Sequence, residues 1–441
     1  MRRRDAGALW IDDQGVRSGA DFMATVEAAA RQCREAGVQP GEVVITPGTT
    51  SLDSLGWLFG VAMVGAVAVP LRPTRAAELA AWQEWCRLDW QVAAGRIVRW
   101  GRGTTQPAAQ GLLDQLRARG HPGLILGTGG TTGTAKPLLH DLAALFSAIQ
   151  VKAGRPSRTL PLMHFDHIGG LDMAWRALAG QQVLVAPPAE ITPDAVAAAI
   201  ARHAVQVLPA TPSFLNLLLL AGADKTHDLG SLRLVPYGAE PMSAGLLVRL
   251  RAALPQVEFV QRFGTSETGA LPVRPYTDGL ILSEEEGFSW KVLDGALWVR
   301  SPARALGYLT GESGGFAESG WFCTGDHAEQ RPDGSVRVLG RRGDLINVGG
   351  KKILPGEVEE HLLAHPLVAD CRVFAQANVV LGQVVAAEVV WRGPELDAVT
   401  VKRQLRAFAG SLPECHLPAV VRLVKSIDTT GNLKKIRPSR T

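Results

Sequence analysis

Short apolar runs alternate with longer amphipathic ones along most of this chain. Glu42-Val43-Val44-Ile45-Thr46 reads as a strand from its β-branched content, and Ala66-Val67-Ala68-Val69-Pro70 as the next. Residues 52–64 between them read as a helix. The longest apolar stretch, Trp57–Pro70, is broken by glycines and too short to span a bilayer, so it is read as a buried helix running into a strand. Gln182–Ala186 and Val205–Pro209 continue the strand series, with an Ala-rich helix at Pro193–Ala204 between them. Apolar strands separated by helices predict an α/β fold with mostly parallel sheets flanked by helices. No repeat at solenoid spacing occurs.

The pattern changes after Gly340. Arg341-Arg342-Gly343-Asp344 is polar and contains glycine, as a hinge would. Beyond it the chain predicts a helix at 355–364, strands at 370–374 and 384–391, a helix at 398–410 and a strand at 420–424. That region is long enough to fold by itself. The division is therefore a large domain over 1–342 and a small α+β domain over 343–441.

Composition changes this picture little. A chain of 441 residues exceeds what one core usually supports, so two domains are reasonable. With 46% apolar and 20% charged residues it reads as an ordinary globular protein, and a net charge of +4 does not mark a nucleic-acid binder. No nucleic-acid or membrane partner is expected, and the molecule is expected to be a monomer or homodimer. The five cysteines are scattered without metal-ligand spacing, which fits a reduced cytoplasmic location. Cys323 is read as a packed strand residue.

Candidate chemistry begins at Gly127-Thr128-Gly129-Gly130-Thr131-Thr132-Gly133-Thr134-Ala135-Lys136, after the apolar run Gly123-Leu124-Ile125-Leu126. Glycines allow a backbone to aim several N–H groups at one anion, and hydroxyls and an ammonium add donors and positive charge. This suits a polyphosphate. It is not a Walker A loop, because Thr134 and Ala135 separate Gly133 from Lys136 and Pro137 follows.

Further runs follow in order: Tyr237-Gly238-Ala239-Glu240-Pro241, Phe263-Gly264-Thr265-Ser266-Glu267-Thr268-Gly269, Trp321-Phe322-Cys323-Thr324-Gly325-Asp326, and Gly340-Arg341-Arg342-Gly343-Asp344 leading to Gly349-Gly350-Lys351. Together they resemble the core motifs of the adenylate-forming superfamily: acyl-CoA synthetases, adenylation domains of peptide synthetases, and luciferases. The resemblance runs from about Val43 to Arg437.

The resemblance implies an AMP-forming acid–thiol ligase. A small carboxylic acid and ATP would give acyl-AMP and pyrophosphate, and a thiol would then displace AMP. Thr128, Gly130, Thr131, Thr132, Gly133 and Lys136 would grip the β- and γ-phosphates. Glu267 would hold Mg²⁺, which prefers one or two carboxylates with phosphate and water. Phe263 would lie against adenine, with Gly238, Ala239 and Glu240 on the other face and Gly264, Thr265 and Ser266 completing the loop. Asp326 would accept from the ribose hydroxyls, reinforced by Arg341. His167, three residues before Gly170, would stand at the mouth of an acyl pocket with Phe214, Tyr237 and Gly238. Gly343 would be the hinge on which a mobile C-terminal domain rotates between the two half-reactions. Gly349, Gly350 and Lys351 would lie near the pantetheine tunnel.

One departure concerns catalysis. The family carries a lysine near its C-terminus that bridges carboxylate and α-phosphate. Here the ungapped position is Asn432, in Gly431-Asn432-Leu433-Lys434-Lys435. Either Lys434 or Lys435 supplies the charge, or adenylation proceeds without it. The chain shows no serine-bearing carrier motif, which favours coenzyme A as the thiol; phosphopantetheine on an acyl carrier protein is the alternative. A catalytically weakened acyl-adenylate sensor is a third reading. The stretch from Gly269 to Gly295 and the N-terminal subdomain look trimmed for the family.

Overall fold

The computed structural model describes residues 7–128, 135–149, 157–276, 279–282, 287–408, 410, 412–430 and 435–436. The predicted strands at 42–46 and 66–70 form as Val43–Pro47 and Val67–Leu71, pair in parallel, and flank the helix Leu52–Met63. They sit at the centre of a seven-stranded sheet. Gly123–Thr128 and Leu88–Ala93 extend its parallel core, and antiparallel strands close both edges. The helices Gly19–Ala36 and Leu52–Met63 cover one face. There Trp10, Val44, Leu58, Leu124, Phe165 and Trp175 share one hydrophobic cluster.

A second sheet pairs Ala8–Asp12 in parallel with Val183–Val185, which in turn meets Arg158–Thr159. The helix expected at 193–204 is Pro193–His203, capped by Thr192. The strand expected at 205–209 is reduced to isolated parallel bridges at Val207. Pro209 limits it, since proline brings no N–H to a ladder. Nearby strands Leu234–Tyr237 and Glu258–Gln261 also pair in parallel.

A third, six-stranded sheet spans Val273–Arg341 and is antiparallel throughout. The expectation of mostly parallel sheets did not foresee it. A local signal was present. Leu293 pairs with Ala296 across Asp294-Gly295, whose φ angles of 51° and 68° make the two-residue hairpin turn that Asp-Gly favours.

The C-terminal region has its own core and a five-stranded sheet that starts at Ile346. Its long hairpin, Val368–Asn378 with Gly382–Trp391, is flanked by the helices Pro355–Leu363 and Ala398–Phe408, and Val420–Leu423 joins it in parallel. Gly343 lies in a single 3₁₀ turn, Arg342–Asp344, between this sheet and the one ending at Arg341.

Candidate active site

The Gly/Thr-rich run connects two antiparallel strands. Gly123–Thr128 pairs with Lys136–Asp141, and Thr128 stands opposite Lys136 where the connection leaves that hairpin. Gly130, Thr131, Thr132 and Gly133 lie outside the described residues. At the hairpin base the Thr128 hydroxyl reaches the Lys136 carbonyl at 3.4 Å, and Lys136 Nζ pairs with Glu312 Oε2 at 2.5 Å. Lys136 is half-buried and Glu312 exposed, so this pair is a weak one that an anion of higher charge can replace.

Glu267 sits at the tip of a tight hairpin in which Gly264-Thr265 pairs with Gly269-Ala270. The turn leaves only Ser266, Glu267 and Thr268 between the paired residues, and Gly269 takes φ 68° to close it. Thr265 and Thr268 share a buried hydroxyl contact of 3.1 Å that fixes the loop from within. Tyr308 donates to Glu267 Oε1 at 2.5 Å. The phenol is pushed well above its ordinary range by burial and by the Glu267 charge. It therefore stays a donor. Tyr308 pairs with Leu138 on the phosphate hairpin, so it ties that hairpin to the Glu267 loop. Sequence reasoning missed Tyr308 and Glu312; Gly307-Tyr308 has no distinguishing spacing.

Asp326 and Arg341 stand opposite each other on the antiparallel strands Phe322–Gln330 and Val336–Arg341. Arg341 Nε is 3.1 Å from Asp326 Oδ1, and its Nη1 donates to the Thr324 carbonyl at 2.6 Å. Asp326 is 5% exposed, and its Oδ2 is buried without a partner. Burial raises its pKa, Arg341 partly offsets this, and the nearby Glu267 charge adds to the rise. A buried acceptor lacking a donor is what a ligand hydroxyl would complete.

Gly238, Ala239 and Glu240 leave the strand Leu234–Tyr237, and Ala239 is held at φ 69°, a strained angle for a residue with a Cβ. Glu240 accepts from Ser213 Oγ at 2.6 Å and from the Ser213 N–H at 3.2 Å. Its other oxygen accepts from the Lys435 N–H at 2.6 Å, which brings the C-terminal segment onto this loop. Phe263 packs, half-buried, on the core of the antiparallel sheet.

His167 caps the helix Ile168–Ala179, its ring accepting from the Gly169 N–H at 3.2 Å. A narrow cleft, partly open to solvent, runs between that helix and the Glu267 hairpin, with water-accessible space of about 10 Å³, the room of a single water. Leu145, Ile149, Ile168, Trp175, Gly269 and Ala303 line it, with Asp172 and Arg176 paired at 2.9 Å. Phe214 and Tyr237 do not line it. They are 0% and 7% exposed in a separate core cluster, where the apolar helix Pro212–Leu220 packs on the second sheet.

Gly349 and Gly350 form a two-residue turn with φ 55° and 89°, joining Val348 to Lys351. Lys434 lies outside the described residues. Lys435 is buried. Its Nζ lies 2.7 Å from Asp370 Oδ1 and donates to the Cys371 carbonyl at 2.8 Å. Burial alone would lower its pKa, but Asp370 and Glu359 outweigh it and keep the ammonium charged. In this arrangement the Lys435 charge is engaged by the C-terminal hairpin. Among the described residues no cluster of three His, Cys, Asp or Glu could hold a metal alone. The lone Glu267 carboxylate, with one oxygen engaged by Tyr308, fits a Mg²⁺ that takes its remaining ligands from phosphate and water. No described helix is long and apolar enough to cross a membrane.

Residues 103–309 match the AMP-binding enzyme family, and residues 357–434 match the AMP-binding enzyme C-terminal domain. A 4-coumarate–CoA ligase-like protein of Arabidopsis thaliana is 28% identical over 299 residues, covering 60% of this chain and 52% of that protein. An L-proline–[L-prolyl-carrier protein] ligase of Pseudomonas fluorescens is 29% identical over 306 residues, covering 63% and 60%. The chain thus spans a little over half the length of such relatives. The fold is shared with an anthranilate CoA ligase in complex with anthranoyl-AMP: TM-score 0.80, 19% identity, 97% of this chain and 92% of that one.

Proposed function

Because the chain belongs to the adenylate-forming superfamily of AMP-binding enzymes, we propose that it activates a small carboxylic acid with ATP and passes the acyl group to a thiol. The observation that carries this reading is the orphaned Asp326 Oδ2, on a carboxylate whose Oδ1 is held by Arg341 and which lies within electrostatic reach of Glu267. One buried acceptor and one phosphate-side carboxylate are thereby close neighbours, as a ribose and its triphosphate require.

In this reading the acid enters beside His167, where the narrow cleft widens to admit it, with its carboxylate toward the Glu267 hairpin. Thr128 and Lys136 hold the outer phosphates, and Lys136 exchanges Glu312 for them. Glu267 would hold Mg²⁺, which would supply positive charge for the departing pyrophosphate. Asp326 and Arg341 fix the ribose, so that carboxylate oxygen and α-phosphorus meet in line and little further reorganisation is needed. The carboxylate oxygen bonds to phosphorus as the bond to pyrophosphate breaks. A thiolate then attacks the acyl carbon and AMP leaves. Between the steps the C-terminal domain turns about Gly343 and brings the Gly349-Gly350 turn and Lys351 to the site.

The contact between Lys435 N–H and Glu240 supports an adenylation-competent arrangement, because it sets Lys435 against the proposed nucleotide loop. With Lys435 Nζ bound to Asp370, Lys434 becomes the candidate bridging cation. Coenzyme A is the proposed acceptor, in line with the 4-coumarate–CoA ligase-like relative. The carrier-protein ligase relative supports a carrier as the second reading. A pyrophosphate-release screen over small aryl and short-chain acids, with CoA, with a holo-carrier protein and with neither, tests this. Release with no acid at all would overturn the proposal.

A further inference from the structure

One buried guanidinium touches both the phosphate hairpin and the segment that carries His167. Arg75 follows the strand Val67–Leu71, and its side chain is 15% exposed. Its Nη2 lies so close to Gly127 that a Cβ added there would come within 2.4 Å of it, so only glycine leaves the space. On the other side Nη1 donates to Asp166 Oδ2 at 3.1 Å and to the Asp166 carbonyl at 3.2 Å. Asp166 is wholly buried and immediately precedes His167. Arg72 Nε bonds the same Oδ2 at 2.8 Å. Glu78 fixes the remaining donors of Arg75 through two bonds of 2.7 Å.

Trp82, at the end of the helix Glu78–Trp82, also lies against Gly127 and donates to the Ala135 carbonyl at 2.8 Å. Both ends of the Gly/Thr-rich connection therefore rest on residues 75–82. Two arginines meet two carboxylates, so the buried charges compensate within the network. Asp166 Oδ1 is buried without a partner, which gives the arginine fork a second place to bond. A close-packed ionic network with a spare acceptor shifts between discrete arrangements rather than deforming smoothly.

We propose that Arg75 is a positioning residue that couples occupation of the phosphate hairpin to the placement of Asp166 and His167, so that bound triphosphate shapes the acid site. This rests on the reading of the hairpin as the ATP site. Lysine cannot replace it, because a point charge cannot face Gly127, Glu78 and Asp166 together.

The test is hydrogen–deuterium exchange with ATP and Mg²⁺ as the probe, without any acid. Calorimetry on each protein sets a saturating ATP concentration. In the unaltered protein, ATP slows exchange of amides in residues 163–171 by about fivefold or more, the scale of a modest coupling. Arg75→Lys abolishes that slowing at saturating ATP, while its circular dichroism stays unchanged. Gly127→Ala, which keeps every network side chain but displaces Nη2, does the same and serves if Arg75→Lys fails to fold. Full slowing in the variants, or none in the unaltered protein despite measured ATP binding, overturns the proposal. No calorimetric ATP binding by the unaltered protein overturns it together with the nucleotide-site reading. Failure of the acid screen alone leaves this experiment's outcome standing.

Discussion

Tyr308 donates its phenolic proton to Glu267 across 2.5 Å, and the same tyrosine pairs through its backbone with Leu138 on the phosphate hairpin. The carboxylate is therefore held by one oxygen and offers the other. Glu267→Gln should lower pyrophosphate exchange on the order of a hundredfold, the scale for removing one electrostatic contact to a developing charge. Tyr308→Phe should have a smaller effect and raise the Mg²⁺ concentration needed for half-maximal rate. Full exchange in Glu267→Gln would remove Glu267 from the site.

Asp326 sets function against stability. Its pKa lies above the ordinary 3.8, mainly through burial. The folded state then binds a proton more readily than the unfolded chain. The associated stability is present below that ordinary value and is lost as pH rises through the folded pKa. At neutral pH the ligand-free protein carries the cost of an under-bonded charge. Asp326→Asn should raise the melting temperature without nucleotide and weaken ATP binding by between about tenfold and a hundredfold, as the loss of a charged hydrogen bond implies. Calorimetry at pH 7 measures the second effect. Unchanged ATP affinity would count against the ribose assignment.

His140 gives a separate pH signature. It lies opposite Leu124 in the phosphate hairpin and is wholly buried, with only the Ser266 backbone partly offsetting the cost of charging its ring. Burial pushes its pKa down from 6.5 to about 4. The unfolded chain binds the proton more readily, so the contribution is full above pH 6.5 and is lost as pH falls toward 4. The difference is worth about 3 kcal/mol at most. His140→Leu should flatten the fall in stability across that window. Urea unfolding at pH 7 and pH 4.5 checks it; equal losses in both proteins would refute the assignment.

The parallel strands, their helices and the C-terminal unit were legible because each carries its own local period. Val67–Leu71 is fully apolar and Val43–Pro47 is apolar but for Thr46, and no non-local information is needed to recognise them. Asp326 and Arg341 were legible through motif order, but their pairing was not, since it depends on the register of two antiparallel strands. Phe214 and Tyr237, expected at an acyl pocket, pack in a core cluster, and sequence does not show whether an aromatic residue on a helix or strand faces a core or a cleft. Trp175 and Ile168 line the cleft instead, from a helix whose apolar face looks like ordinary core in sequence. Tyr308 and Arg75 could not be found by spacing at all. Their roles come from contacts with residues 41 and 91 positions away.

Lys434 and Lys435 are adjacent in sequence and should fail in different ways. The Lys435 ammonium is buried against Asp370 and the Cys371 carbonyl, so Lys435→Ala leaves Asp370 buried without its cation. Breaking a buried pair from one side costs about 3–5 kcal/mol, and the loss should appear as early unfolding of the C-terminal domain. Lys434→Ala should leave stability unchanged and slow acyl-AMP formation, because carboxylate and α-phosphate repel each other until a cation lies between them. Thioester formation from pre-made acyl-AMP should survive that change, since in the proposed cycle the domain has by then rotated the lysine away. Single-turnover assays of the two half-reactions separate these outcomes. If Lys434→Ala adenylates at the full rate, the bridging charge is absent or comes from elsewhere. Asn432→Lys then decides between those two: a large gain in adenylation marks a site that lacks its cation, and no gain marks one that does not use it.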